Sequence, residues 1–363
     1  MQEFTVKALG YLLLSTVATG ALYPVFINFL YKFQLREPIN PDVPRTHFAK
    51  QGTPTAGGFL PVLVFLLLNL IFNLSPEVAA LAAVVGALSV LGVLEDLFKI
   101  YRRSRLQKTI REKIVPIVTL SDLTWDVYKL VLFPWRAFKE VFRALGSQNV
   151  GGVAPYQKVL FQTAAGAAFA LWHSIARGTE VWLPLLGVVD LGFFYIPLVL
   201  LLFLFFVNAI SVTDGLDGLV GGLLALGLTA FLAIALINGR GDLAIAAAIL
   251  VGTLFPFMYF NIFPARIFAG NVGALGWAGA FITLGLLLDR SILLFIVGGV
   301  FVLEGLSVLI QVAAVKLKKG RVFLMAPIHH HFEMKGWAEA KVTMRFWLAG
   351  AFLAFLGLFV ALL

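Results

Sequence analysis

Five polar clusters interrupt an otherwise apolar chain, and each holds residue types suited to phosphate or to a hard cation. Residues 326 to 333 read Ala326-Pro327-Ile328-His329-His330-His331-Phe332-Glu333. A triple histidine between two long apolar segments is not a terminal tag, and imidazoles beside a bilayer need a partner or a task. Glu95 and Asp96, with Lys99 one turn on, close an apolar stretch. Adjacent carboxylates at the lip of a membrane helix are costly unless they bind a cation or a proton. Carboxylates beside a lysine suit a Mg²⁺–phosphate site, where the ion keeps several waters and takes one or two carboxylates. An exposed helix end, with Lys99 as the i+4 partner of Glu95, is the structural alternative. The run Asn208-Ala209-Ile210-Ser211-Val212-Thr213-Asp214-Gly215-Leu216-Asp217-Gly218 places two acids three apart, each near a glycine, in a tight polar turn. A helix cap accounts for one aspartate; it does not account for both plus Asn208 within an apolar run. Lys50-Gln51-Gly52-Thr53-Pro54-Thr55-Ala56-Gly57-Gly58 supplies a cation and glycines that let backbone N–H groups approach a phosphate or a neighbouring helix. Asn261, with Pro264 to Gly273, is the fifth cluster.

These clusters must be held by helices in lipid. The chain has 363 residues, 60% of them hydrophobic, 34 Phe and a mean hydropathy of +0.95, well above the roughly 45–50% apolar content of soluble domains. Apolar runs long enough for about 30 Å of hydrocarbon predict ten spans, near 8–31, 56–74, 78–98, 159–176, 192–212, 219–237, 242–262, 272–288, 291–315 and 343–363. The eighth is short and Gly-rich and the ninth carries Glu304, so one of these two is expected to be broken or tilted. Of the 28 Lys and Arg residues, all but Lys7, Arg177, Arg240 and Arg290 fall in one alternating set of loops. Basic residues mark the cytoplasmic side, which puts all five clusters in the cytoplasm or at its membrane face and both termini outside. The net charge of +9 then reflects topology and affinity for anionic lipid or phosphate; nothing resembles a nucleic-acid-binding module.

The first apolar run is too long for a signal-peptide core and reads as an uncleaved span. Residues 100–157 form a cytoplasmic insertion within a single transmembrane domain, 1–363. Trp135, Phe138, Phe142 and Leu145 recur there at helical spacing between Arg136, Lys139 and Arg143, the pattern of a basic interfacial helix; a solvated loop is the plain alternative. Residues 181–191, broken by Pro184 and Gly187, read as an external hairpin or interfacial segment. No cysteine is present, which excludes disulfides and thiolate sites.

Thr53-Pro54-Thr55 with Gly57-Gly58, the Asn208 to Gly218 run, Asn261 with Pro264-Ala265, and Pro327 through Arg345-Phe346-Trp347 together resemble the phospho-N-acetylmuramoyl-pentapeptide transferase family, in order and over nearly the whole chain. The resemblance implies an all-α polytopic fold of ten spans, a Mg²⁺-dependent cleft facing the cytoplasm of a bacterial inner membrane, and often a homodimer. It implies transfer of phospho-N-acetylmuramoyl-pentapeptide from UDP to undecaprenyl phosphate, giving lipid I and UMP. By position Glu95, Asp96 and Asp217 would be catalytic, and Asp96 and Asn271 would meet the metal. Lys50, Thr55 and Lys99 would contact donor phosphates or sugar. Asp217, Asn261 and Phe268 would shape the uridine pocket, with Asn208, Ser211, Asp214, Gly215 and Leu216 nearby. His329 and His330, with His331, would approach the diphosphate.

Departures from the family pattern accompany the resemblance. The aspartate pair reads Glu95-Asp96, Ser211 stands where Asn is usual, and the Gly-Asp-x-Gly-Ser metal motif reads Gly270-Asn271-Val272-Gly273-Ala274. The 100–157 insertion is also long for the family. Asn271 matters most: an amide oxygen can ligate Mg²⁺ but brings no charge, and hard-cation affinity follows ligand charge. Either Glu95 or Glu304 compensates, or activity is weak or absent. The rival functions are a related polyprenyl-phosphate N-acetylglucosamine-1-phosphate transferase and a silent relative that binds lipid carrier or nucleotide. A transporter is disfavoured, because the polar groups gather on one face and not at the midplane.

Overall fold

A computed structural model describes residues 2–33, 35, 50–100, 153–184, 186–318 and 320–363. The interfacial helix expected at 135–145 lies outside the described residues. Twelve helices and one hairpin follow in order: α1 (Gln2–Lys32), α2 (Phe59–Phe72), α3 (Pro76–Ile100), α4 (Pro155–Arg177), β1 (Glu180–Leu183), β2 (Gly187–Asp190), α5 (Tyr195–Thr213), α6 (Leu219–Ile237), α7 (Gly241–Asn261), α8 (Gly270–Leu287), α9 (Leu293–Val297), α10 (Gly299–Lys316), α11 (Ile328–Met334) and α12 (Glu339–Ala361). Among the described residues nine of these helices are long and apolar enough to cross a membrane. The chain is a multi-pass, all-α membrane protein.

Two expected spans take a different form. The second is a helix of only 14 residues, about 21 Å at ~1.5 Å per residue and short of a full crossing. Its first part, residues 54–58, is non-helical and pairs with the segment before α8: Phe268 N–H donates to Pro54 O (2.9 Å), Gly57 N–H to Phe268 O (2.8 Å) and Gly58 N–H to Ala269 O (2.9 Å). Non-helical backbone is tolerated at membrane depth where protein satisfies it. The ninth span is the broken one: Gly298 separates α9 from α10 at φ −87°, ψ 15°. An added Cβ there would lie 2.5 Å from Leu294 O and 3.0 Å from the Phe206 ring.

α8 runs through the centre, nearly wholly buried, with α2, α3, α5 and α6 against it. Small residues permit that approach where lipid supplies no hydrophobic drive between helices. A Cβ on Gly58 would lie 2.9 Å from Gly273 N, one on Gly279 2.8 Å from Leu88 Cδ1, and one on Gly227 2.8 Å from the Phe281 ring. α1 and α12, on the periphery, leave large apolar side chains exposed, including Leu13, Val17, Phe352 and Phe355, as lipid-facing helices do.

The sparsely basic end is tied by ion pairs. Glu77 at the start of α3 meets both Arg177 and Arg240, and Asp289 meets Arg177 and, at 3.5 Å, Arg240. The expected hairpin is present beside it, with Glu180 opposite Asp190, and the Arg290 guanidinium lies 3.8 Å above the Trp182 ring. Lys50, Lys99 and Lys158 instead pair with acids of the other end, so the two loop sets inferred from charge are at opposite ends of the bundle.

Candidate active site

At that other end, the turn between α5 and α6 is built around Asp217. Its buried carboxylate accepts from Lys50 Nζ at 2.7 Å and from the Ala265 backbone N–H at 2.9 Å. Lys50 also pairs with Glu339, whose carboxylate takes the Asp217 backbone N–H at 2.7 Å. Asn261, ending α7, accepts from Gly218 N–H (3.1 Å) and donates to Ile267 O (2.8 Å). From α12, Thr343 Oγ1 donates to Asp217 O and Trp347 Nε1 to Gly218 O, each at 3.2 Å. Gly218 adopts φ +75°, a conformation that costs glycine little. One cation thus faces two carboxylates, and the third, fourth and fifth sequence clusters share one hydrogen-bonded network.

The second cluster joins through α8. Asp96, buried at the end of α3, receives Asn271 N–H at 3.0 Å and the Asn271 side-chain amide at 2.7 Å on Oδ1, and Val272 N–H at 3.1 Å on Oδ2. A carboxylate from another helix therefore caps the N-terminus of α8, where unpaired N–H groups and the helix dipole favour negative charge. Gly270 at φ +70° makes room: a Cβ there would lie 2.6 Å from Ala56 N and 2.8 Å from Asp96 Oδ2. Glu95 faces the other way, paired with Lys158 and, at 3.8 Å, with Lys99. It has the Lys99 partner of the structural alternative, but it is buried and not an exposed helix end.

The histidines divide their partners. His329 Nδ1 lies 3.0 Å from Glu304 Oε2, and His330 Nδ1 lies 2.6 Å from Glu333 Oε2. The Leu324 N–H donates to His331 Nδ1 at 3.1 Å. Burial, then the nearby Lys335, lower the His331 pKa, consistent with a neutral ring that accepts. Glu304 Oε2 thus faces the first histidine of the triplet.

Some expected site residues lie aside. Asn208 donates to Gln162 Oε1 (2.9 Å) and to Leu204 O (2.7 Å), and no hydrogen bond ties it or Ser211 to the Asp217 network among the described residues. Asp214 and Gly215 are half-buried and Leu216 is buried, the turn's own framework. Phe268 takes part through its backbone. Thr55 is buried, with a hydroxyl that has no hydrogen-bond partner among the described residues. Sequence reasoning passed over Lys158, Gln162, Thr343 and the role of Glu339. Glu339 carried a signal, an acid opening a helix inside a strongly basic loop.

Among the described residues no group of three or more His, Cys, Asp or Glu side chains could hold a metal ion. Asp96 and the Asn271 amide form a smaller oxygen-donor pair. That fits an ion held by one carboxylate and completed by substrate phosphates, not an all-protein cage.

Nine candidate membrane-crossing helices among the described residues, with carboxylates, lysines and a histidine triplet gathered at one end, define a multi-pass membrane protein with a charged site at that end. Residues 148–289 match the model of glycosyl transferase family 4. The chain is 33% identical over 355 residues to the phospho-N-acetylmuramoyl-pentapeptide-transferase of Halalkalibacterium halodurans, covering 96% of each chain. It is 31% identical over 355 residues to that of Bacillus subtilis, again 96% of each, and 35% identical over 345 residues to that of Bacillus thuringiensis, covering 94% of this chain and 93% of that one. The chain belongs to the phospho-N-acetylmuramoyl-pentapeptide-transferase family.

The approach of α3 to α8 sets Asp96 against Asn271. Gly92, one turn before Asp96, is where the two meet, and a Cβ there would fall 2.5 Å from Val272 Cα. Gly92→Ala must push the helices apart. Overpacking of this kind costs about 1–3 kcal/mol, so the variant should melt several degrees lower in detergent and lose activity together with the Asp96–Asn271 contact. Unchanged melting and turnover would show that this contact is not fixed by helix packing.

Proposed function

We propose that the chain transfers phospho-N-acetylmuramoyl-pentapeptide from its UDP ester to undecaprenyl phosphate, releasing UMP. The near full-length identity to enzymes of that name carries this reading. An oxygen of the lipid phosphate attacks the sugar-proximal phosphorus of the donor. The bond from that phosphorus to the bridging oxygen breaks, and the electron pair leaves on UMP. A phosphate monoester has a second pKa of about 6, so the acceptor is largely dianionic at neutral pH and needs no strong base. Asp96 already accepts three N–H bonds, which favours a positioning role over attack through an aspartyl intermediate.

Lys50 and Lys99 offer charge to the donor phosphates, Thr55 a hydroxyl, and His329 and His330 the ring nitrogens turned away from Glu304 and Glu333. The turn at Asp217, stapled to residues 261–267, forms the floor of the nucleoside subsite. Mg²⁺, held by Asp96 with Asn271 beside it, would supply charge stabilisation to the diphosphate. In detergent, UMP should appear from UDP-N-acetylmuramoyl-pentapeptide only with undecaprenyl phosphate and Mg²⁺ both present. Turnover with UDP-N-acetylglucosamine and none with the muramoyl donor would assign the chain to the other transferase.

The reading places this end at the cytoplasmic face of a bacterial inner membrane. Because the chain has no cysteine, single cysteines at the exposed Lys335 and Asn238 report cleanly. Impermeant maleimide should label Asn238→Cys in intact cells and Lys335→Cys only after permeabilisation. The reverse pattern would invert the topology.

A further inference from the structure

Glu304 sits in α10 with a fully buried side chain, among Val300, Phe301, Gly305 and Ser307 on the inward face. An acid in a membrane-crossing helix is costly and marks function by default. Its Oε2 meets His329 Nδ1 at 3.0 Å, and both side chains are wholly buried. Its Oε1 has no hydrogen-bond partner among the described residues, and neither has His329 Nε2. A pair kept for stability alone would not leave two buried polar atoms unsatisfied, since an apolar replacement of similar volume is often as stable or more so.

The orphaned nitrogen has a direction. The His329 ring packs on Gly215: a Cβ added there would overlap Nε2 and lie 3.0 Å from Cε1. Gly215 is in the turn that carries Asp214 and Asp217. α10 is also pinned to α5, the helix leading into that turn, because Gly305 lets it approach to where a Cβ would sit 2.9 Å from Ala209 Cβ. Glu304 is therefore fixed on the element that backs the turn, with the imidazole between.

We propose that Glu304 is a positioning residue: it accepts the hydrogen bond of His329 Nδ1–H and so presents Nε2 to the turn of residues 213–218, on the side where the donor diphosphate is handled. This deepens the transferase reading and rests on it. A hydrogen bond to one ring nitrogen decides what the other can do, and loss of such an orienting partner at metal sites costs about 10–100-fold.

The test combines kinetics with a readout that needs no substrate. Glu304→Leu should lower kcat about 10–100-fold with KM for the nucleotide donor within about twofold. Glu304→Gln, whose amide oxygen can accept the same N–H, should recover most of the rate. Glu304→Leu combined with His329→Gln should be no slower than His329→Gln alone, as expected for residues acting through one another. In ¹⁵N-histidine spectra of the solubilised protein, which has five histidines, the signal lost in His329→Gln reports that ring. It should show an Nδ1 proton in the wild type and shift in Glu304→Leu. An unmoved His329 signal, a double variant slower than either single one, or equal loss in the Gln and Leu variants with less folded protein would each overturn the proposal. A wild type inactive on the muramoyl donor, but with the tautomer change intact, would overturn the transferase reading and leave the positioning role standing.

Discussion

Asp217→Ala should reduce lipid I formation by more than about 10²-fold, the usual cost of losing a preorganised electrostatic group, and should also lower stability. The charged-face argument alone predicts a functional loss without a folding loss. The structure changes that expectation, because Asp217 is buried and receives both Lys50 and the Ala265 N–H. Removing one partner of a buried pair costs about 3–5 kcal/mol; Lys50 keeps Glu339, so the lower end applies. Asp217→Asn retains an acceptor for Ala265 but gives up the charge opposite Lys50. It should melt closer to the wild type and still turn over slowly. UMP release and thermal melts on the three proteins, at matched salt and Mg²⁺, separate the two effects. Near-normal turnover in Asp217→Ala would place the reaction away from this turn.

The turn was legible because its residue types are expensive in lipid: two acids and an Asn beside apolar runs demand partners. Their partners were not legible. Lys50 lies 167 residues from Asp217 and Glu339 a further 122 beyond it, and nothing local sets those pairings. The spans were readable from hydropathy, whereas the short α2 was not. Gly57 and Gly58 suggested close approach, but their backbone pairing with residues 268 and 269 depends on a segment with no strand signature of its own. The broken ninth span was foreseeable from Glu304. Its cause is Gly298 packed against Phe206 and the Phe281 ring, a tertiary fact. Glu95 and Asp96 were legible as a pair, but their separate partners were not: neighbouring positions on a helix point about 100° apart, and the two acids meet Lys158 and Asn271 respectively.

Asn271→Asp should convert a self-sufficient contact into one that needs a cation. At present the Asn271 amide donates to Asp96 at 2.7 Å, and the Asn271 and Val272 backbone N–H groups donate to the same carboxylate. An aspartate there puts two carboxylates in contact. Unit charges about 4 Å apart at a near-surface effective dielectric of ~20 repel by about 4 kcal/mol, partly offset by the N–H groups at the start of α8. With a chelator present, the variant should melt below the wild type; Mg²⁺ should restore it, raising its melting temperature more than that of the wild type. Turnover of the variant should rise, with a lower Mg²⁺ midpoint, because a second charged ligand strengthens hard-cation binding. The melt is read without substrate, so it reports on the ion site even if the donor is misassigned. Identical melts in chelator and in Mg²⁺, with an unchanged Mg²⁺ midpoint, would mean that residue 271 does not face the ion. Asp96 would then be a helix cap, and the charge on the diphosphate would fall to Lys50, Lys99 and the histidine loop.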